Sequence, residues 1–221
     1  MLPPGGWVDI DAAKSATHQR DIAAKAERIQ AVLGAAHLGQ PDIVAAAYAA
    51  SVRALIAVLA TLNEQVKTLQ GQVEAYFGQH PDAEILLSQP GLGPVLSARV
   101  LAESGDDPRR YISAKARKNY AGTSPITRAS GKKKTVMARH VHNDRLIDAL
   151  ISQAFTALRT SPGARAYYDH QRARGAGHNP ALRQLANRLT GSLHGCLKTR
   201  TLYDEATAWP QYTATSEKTA A

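Results

Sequence analysis

Nine apolar residues recur at alternating steps of four and three between Tyr48 and Tyr76: Tyr48, Val52, Leu55, Leu59, Leu62, Val66, Leu69, Val73 and Tyr76. A strand cannot use that spacing, because its side chains alternate faces with a period of two. It is the a/d pattern of a helix seam, held for about four heptads. A helix begun after Pro41 and carried through Tyr76 is about 50 Å long. The flanking positions Asn63, Glu64, Gln65, Lys67, Gln70 and Gln72 are polar, so the apolar stripe is narrow. A narrow, regular seam favours a coiled coil, either as a hairpin with the preceding helix or between two copies of the chain. An ordinary amphipathic helix packed on its own domain is the plainer reading of the same spacing.

Around this element the chain divides into four parts. Residues 1–13, with Pro3, Pro4, Gly5 and Gly6, read as a flexible leader. Residues 14–80 read as the helical hairpin or coiled coil, its first helix running from Ser15 to Leu38 and ending at Gly39-Gln40-Pro41. Residues 81–209 read as a compact helical domain, and 210–221 as a polar, disordered tail. Within the compact domain the expected helices are Asp82–Ser88, Val95–Glu103, a basic helix over 109–121, Asn143–Arg159, Pro162–Arg174 and Ala181–Arg200. Tyr111, Ile112 and Tyr120 are the expected apolar anchors of the basic helix. Residues 122–139 read as a loop or small hairpin. The expected core gathers Leu146, Leu150, Leu158, Leu185 and Leu189. The fold class is therefore mainly α, an arm followed by a compact helical domain. Abundant alanine and only 5% aromatic residues agree with that.

Charge narrows the function. The chain has 221 residues and a formal net charge of +9; its isoelectric point, about 9.8, lies in the range of nucleic-acid-binding domains. The charge is concentrated: from Arg99 to Arg145 twelve Lys or Arg stand against four acids, an excess of eight. A local excess of that kind attracts phosphates. Single Cys196 excludes an internal disulfide and fits a reducing, cytoplasmic setting. No uninterrupted run of eighteen apolar residues is present, so nothing is expected to span a membrane, and the N-terminus lacks a signal-peptide pattern.

Three motifs lie inside the basic region. Leu86-Leu87-Ser88-Gln89-Pro90-Gly91-Leu92-Gly93-Pro94, before an alanine-rich helix, resembles a helix-hairpin-helix. Gly91 and Gly93 allow a tight turn close to a phosphate, and the following helix end points its free N–H groups there. The same residues also serve as a bare helix–helix connector. The second motif is a belt of candidate phosphate contacts: Arg99, Arg109, Arg110, Lys115, Arg117, Lys118, Arg128, Lys132, Lys133, Lys134, Arg139, His140, Asn143 and Arg145. The third is Ser130-Gly131 before three lysines. A serine nucleophile needs an exposed oxygen, cations for the phosphoryl oxygens and a proton acceptor. Gly131, the neighbouring cations and His140 or His142 offer these; Ser124 is the rival, held by Pro125. Asp144 with Asp148 and the pair Asp106-Asp107 lack a convincing third carboxylate for a metal nuclease. His140-x-His142 with His178 or His194 matches no standard zinc spacing, and there is no P-loop. No metal site is expected in this chain.

The order PGLGP, an alanine-rich helix, then YISAKARKNYAGTSPITRASGKK, resembles the C-terminal transposase domain of the insertion-sequence-110 (110/116/902) family. The resemblance continues through Asn143-Asp144-Arg145-Leu146, SPGARAYYDHQRARG, ALRQLANRL and LHGCLKTRTLYDE, over roughly residues 84–209. The heptad helix resembles the coiled-coil segment those transposases use to oligomerise. The resemblance implies DNA transposition, with a serine of the Ser-Gly motif, here Ser130, attacking DNA and forming a transient phosphoserine link. It also implies a structured bridge RNA as guide and an N-terminal RuvC-like domain with an Asp-Glu-Asp-Asp metal site. This chain starts just ahead of the heptads without such a domain, so Mg²⁺ is expected only for that missing part. Where the family usually reads Lys-x-Gly-Asn after the Ser-Gly motif, His142 precedes Asn143 here. Two functions follow as expectations. One is a serine-type transposase that is truncated or split and incomplete alone. The other is a DNA- or RNA-binding remnant that dimerises with, or regulates, a full-length enzyme.

Overall fold

A computed structural model of the chain describes residues 21–35, 39–131 and 133–211. In order, the elements are α1 (Ile22–Gly34), α2 (Asp42–Phe77), α3 (Ala83–Ser88), α4 (Pro94–Ser104), α5 (Ala114–Tyr120), β1 (Ile126–Ser130), β2 (Lys133–Met137), α6 (Asp144–Thr160), α7 (Pro162–Ala173), α8 (His178–Thr199) and α9 (Glu205–Ala208). The fold is mainly α, with one antiparallel two-stranded sheet. The chain forms two units, 1–69 and 70–221. The expected leader, the first turns of the first helix and most of the polar tail lie outside the described residues.

Helix α2, which carries the heptads and reaches past residue 69, is one unbroken helix of 36 residues. Its seam residues are all open: Val73 is 38% exposed and Tyr76 75%, with Val52, Leu55, Leu59, Leu62, Val66 and Leu69 between them. Helix α1 exposes Ile29, Val32 and Leu33 as well. Among the described residues nothing covers the seam. An 18-residue window of α2 reaches a mean hydropathy of 2.1, so by length and composition the helix is long and apolar enough to cross a membrane. The sequence expectation was that nothing spans one. It rested on uninterrupted apolar runs, which Ser51 and Arg53 break while Ile, Val, Leu and Ala keep the average high.

The second unit is built on α6 and α8, which pack against each other. Leu146, Leu150, Ala154 and Ala157 line one face of α6, and Leu182, Leu185, Ala186, Leu189 and Leu193 one face of α8, all buried. Both sets repeat every three or four residues, the apolar stripe of an amphipathic helix. Helix α4 packs on α6, α5 on α8, and α7 on both. Of the expected core, Leu146, Leu150, Leu185 and Leu189 are fully buried and Leu158 partly. Side-chain caps fix the helix starts: Ser113 accepts from the Ala116 N–H (3.2 Å), Asn143 from Leu146 (3.0 Å) and Ser161 from Ala164 (3.0 Å). Pro94 and Pro162 occupy first-turn positions that need no N–H donor.

Two expected boundaries move. The basic helix is confined to α5, because Ser113 caps it and residues 105–113 form turns. Tyr111 still anchors, donating its hydroxyl to the Ser104 carbonyl at 2.9 Å, but Ile112 is 95% exposed and anchors nothing. Helix α8 starts at His178 rather than Ala181, since Pro180 sits in its first turn, where proline is tolerated.

The last helix-length of chain, missed as a structural element, closes the unit. Trp209 is fully buried, 5.5 Å from the Tyr167 ring, with the Arg188 guanidinium 4.6 Å above it. Its indole donates to the Tyr203 hydroxyl at 2.7 Å, which donates to Glu205 at 2.8 Å. Glu205 also accepts from Ser161 Oγ at 2.8 Å and the Gly163 N–H at 2.8 Å, at the N-terminus of α7. Burial and the Glu205 carboxylate push the Tyr203 phenol well above its ordinary range.

Candidate nucleic-acid interface

Ile126-Thr127 and Thr135-Val136 give β1 and β2 the β-branched character of strands. Gly131, at φ +56, adopts the left-handed conformation that opens a tight hairpin turn. The register pairs Ile126 with Met137, Arg128 with Thr135 and Ser130 with Lys133. Residues two apart on a strand, and their direct partners, share a face. Ser130, Arg128 and Lys133 therefore stand on one face of an exposed hairpin, Ser130 at its end. Among the described residues the Ser130 hydroxyl has no hydrogen-bond partner. Lys132 and the side chain of Lys134 lie outside what is described.

The base of the hairpin is held by a different set of residues. Ser124 donates to Asn119 Oδ1 in a short hydrogen bond, and Arg139 donates to the same oxygen at 3.2 Å. His142 lies against Gly122, whose φ of +73 and lack of a side chain make room for the ring, and pairs with Asp144 at 3.1 Å. The expected helper His142 is thus beyond the first rung, while Ser130 is at the last, about 13 Å further along the strand. His140 is exposed in the turn that follows β2. Asn143 caps α6 and donates to Glu103 (3.0 Å) and the Tyr120 hydroxyl (3.2 Å).

The expected belt is not uniformly solvated. Arg109 and Lys115 are exposed. Arg99 pairs with Asp148 at 2.8 Å, and Arg145 with Glu103 at 3.8 Å. Arg110 lies over the rings of Tyr120 (5.0 Å) and Tyr111 (5.7 Å) and donates to the Tyr120 hydroxyl. Lys118 is half-buried, its ammonium against Gly191 of α8, where a Cβ would come within 2.8 Å. Burial, with Arg188 nearby, lowers its pKa. Arg117 is only 7% exposed, against the expectation that this short helix displays its cations. The reason is phase: α5 packs on α8, and Arg117 lies on the packed side.

The glycine turn also has a use inside the protein. Gly91 sits at φ +79, and a Cβ there would fall within 2.7 Å of the Ala157 amide and still closer to the Gln153 carbonyl. Gln153 Nε2 donates back to the Pro90 carbonyl at 3.3 Å. Gly91 is thus required for close packing of the turn on α6, whereas Gly93 is exposed with open space around it. The candidate carboxylates do not converge. Asp148 and Asp144 face Arg99 and His142; Asp107 is bonded to the Arg109 amide, and Asp106 lies 4.0 Å from His80. No metal-holding group of three His, Cys, Asp or Glu occurs among the described residues. His178 is bonded to the Tyr168 hydroxyl, and His194 lies near Arg117, so the histidines do not assemble either.

Residues 83–169 match the model of the Transposase IS116/IS110/IS902 family. The chain is 46% identical over 183 residues to the mini-circle protein for IS117 of Streptomyces coelicolor, covering 83% of this chain and 44% of the relative. It is 35% identical over 147 residues to the 42 kDa protein of insertion element IS900 of Mycobacterium paratuberculosis, covering 66% of this chain and 37% of that one. The 43.6 kDa protein of IS110 of Streptomyces coelicolor is 34% identical over 156 residues, 69% of this chain and 38% of the relative. The chain spans less than half the length of each of these relatives.

Proposed function

We propose that this chain, which carries a transposase domain of the IS116/IS110/IS902 family, acts on DNA in transposition through the face of its β1–β2 hairpin. The observation that carries the reading is the grouping of Ser130, Arg128 and Lys133 on one exposed face. In the proposed step the Ser130 Oγ attacks a backbone phosphorus. An Oγ–P bond forms as the P–O bond to one sugar breaks, and the departing sugar oxygen takes up a proton. Attack by a sugar hydroxyl on the phosphoserine later reverses the exchange and restores the serine. Lys133 and Arg128 offset the charge that builds on the phosphoryl oxygens. No base is bonded to the Ser130 hydroxyl among the described residues; in the proposed step its proton passes to a group brought within reach when DNA binds. Among the described residues the carboxylates do not converge on a place for a divalent metal.

The exposed side chains of Arg109, Lys115 and His140 extend the contact to neighbouring phosphates, of DNA or of a structured guide RNA. The open seam of α2 pairs with a second copy of the chain. Its regular a/d spacing and its polar continuation from Asn63 to Gln72 support a coiled coil over a lipid-facing helix. The second reading, a binding remnant that regulates a longer transposase, rests on the open a/d seam of α2, which suits pairing with a longer relative as well as with a second copy.

The experiment is covalent trapping on labelled DNA with wild type and Ser130→Ala, with a salt titration of binding alongside. A wild-type adduct that is absent in Ser130→Ala, with affinity within about twofold, supports the nucleophile. An adduct that persists in the variant overturns it and points to Ser124. DNA binding without any adduct, together with inhibition of strand exchange by an intact relative, would establish the regulatory reading instead.

A further inference from the structure

The second unit contains a cleft of about 560 Å³ between the loop before α3, the end of α4, α5 and α8. None of its walls comes from the hairpin. Its floor is apolar (Leu86, Val100, Leu101 and Leu197), and Arg117, His194 and Lys198 look into it. Arg117 is its unusual member. The side chain is more than nine-tenths buried, stacked 4.6 Å above the Tyr111 ring. Its guanidinium makes no hydrogen bond and no ion pair with any described residue, and its Nε is buried without a partner. Burial holds its pKa below the usual arginine value. The nearest compensating acid, Asp82, is already committed to an ion pair with Arg200. On the far lip, Asp106 lies 4.0 Å from His80 and Asp107 4.0 Å from Arg109.

A buried cation with no acid paired to it alone is costly even with the Tyr111 ring stacked against it. Here the cost is compounded, because Arg117, Lys118 and Lys198 all act on His194 and lower its pKa, after burial itself. A guanidinium with all its donors unspent is a fork suited to a tetrahedral oxyanion. Lys198, exposed in the last turn of α8, supplies a second cation at the mouth. A cleft of this size also has room for one nucleoside on its apolar floor.

We infer that this cleft is a phosphate seat, separate from the Ser130 face, in which Arg117 and Lys198 grip the phosphate of an unpaired nucleotide. That the phosphate belongs to a nucleic-acid strand rests on the transposition reading; the anion seat itself does not. A second seat of this kind would hold a strand end or a displaced strand while the hairpin works elsewhere on the DNA.

The test is thermal unfolding of the full chain at constant ionic strength, with chloride replaced stepwise by inorganic phosphate. A parallel series uses a short single-stranded DNA with and without a 5′-phosphate. Phosphate and the phosphorylated strand should raise Tm by about 3 °C or more, and the dephosphorylated strand by less. Lys198→Ala, an exposed change that leaves the fold intact, should weaken the phosphate effect at least fivefold in concentration. Arg117→Met should be at least as stable as wild type without anion and should lose the effect; if it does not fold, Lys198→Ala decides alone. Ser130→Ala should keep the effect in full, so a failed nucleophile assignment leaves this one standing. No stabilisation by phosphate, or an effect untouched in Lys198→Ala, would sink the seat. Stabilisation by inorganic phosphate but not by the phosphorylated strand would sink its assignment to nucleic acid.

Discussion

Ser130 is the direct cross-strand partner of Lys133 at the closing rung of the hairpin. Facing residues in an antiparallel pair have Cβ atoms about 4.5–5.5 Å apart. A lysine rooted there has the reach to bring its ammonium to a phosphate attacked by Ser130 in the proposed step, and Lys133 is not part of the hydrophobic core.

Lys133→Ala should therefore leave the unfolding midpoint unchanged and weaken DNA binding. The slope of log affinity against log salt should become shallower by about 0.9, one phosphate contact. A salt titration with circular dichroism on the same samples checks both halves. Equal slopes would place Lys133 outside the contact.

The glycine turn gives a contrast within three residues. Gly91→Ala forces a side chain into left-handed backbone and against the α6 main chain, and should cost about 2–4 kcal/mol. Gly93→Ala meets open space and should cost under about 1 kcal/mol. Urea unfolding of the two variants separates a packing role from a phosphate-binding one. A Gly91→Ala protein of normal stability but poor DNA affinity would reverse the assignment.

Trp209→Ala should lower stability by about 3–5 kcal/mol, because it empties a fully buried indole site and removes the indole donor from the Tyr203 hydroxyl. The loss should appear as a lower denaturant midpoint with an unchanged m-value. A loss under about 1 kcal/mol would mean that the segment after α8 is not part of the cooperative unit.

Tyr203 predicts an alkaline effect. Its phenol ionises at higher pH in the folded chain than the ordinary value of 10.0. Above about pH 10 the unfolded chain loses this proton while the folded one keeps it, so stability falls as pH rises. The contribution is fully present below that pH. Tyr203→Phe, though weaker at neutral pH, should lose less stability between pH 10 and 11, by about 1 kcal/mol, the difference in slope approaching about 1.4 kcal/mol per pH unit only above that interval. Parallel slopes for the two proteins would show that Tyr203 is no more buried than an ordinary tyrosine.

Much of this was legible because it is written locally. The heptads of α2, the apolar stripes of α6 and α8, and the Gly91 turn each declare themselves through spacing or backbone demand within a few residues. The stretch 122–139 was legible as a loop or small hairpin, and its β-branched residues settle it as a hairpin. What was not legible depends on partners far along the chain. Lys115, Arg117 and Lys118 read as one charged run, yet the packing of α5 on α8 buries the middle one and leaves Lys115 outside. Lys198 joins Arg117 only because α8 runs past α5, and no local signal marks it. Arg99 and Arg145 look free until folding supplies Asp148 and Glu103. Trp209, next to a proline before a threonine-rich stretch, carries the sequence features of a linker and the burial of a core residue.

The segment around α3 meets the segment that follows α8. Arg200 pairs with Asp82 across 118 residues, and the Tyr203 N–H donates to Ser88 Oγ across 115. Entry and exit of the domain are therefore neighbours on its surface. A domain closed in this way behaves as a cassette: joined at one doorway, it can be moved between longer chains, or set inside a loop of one, without prising its host apart.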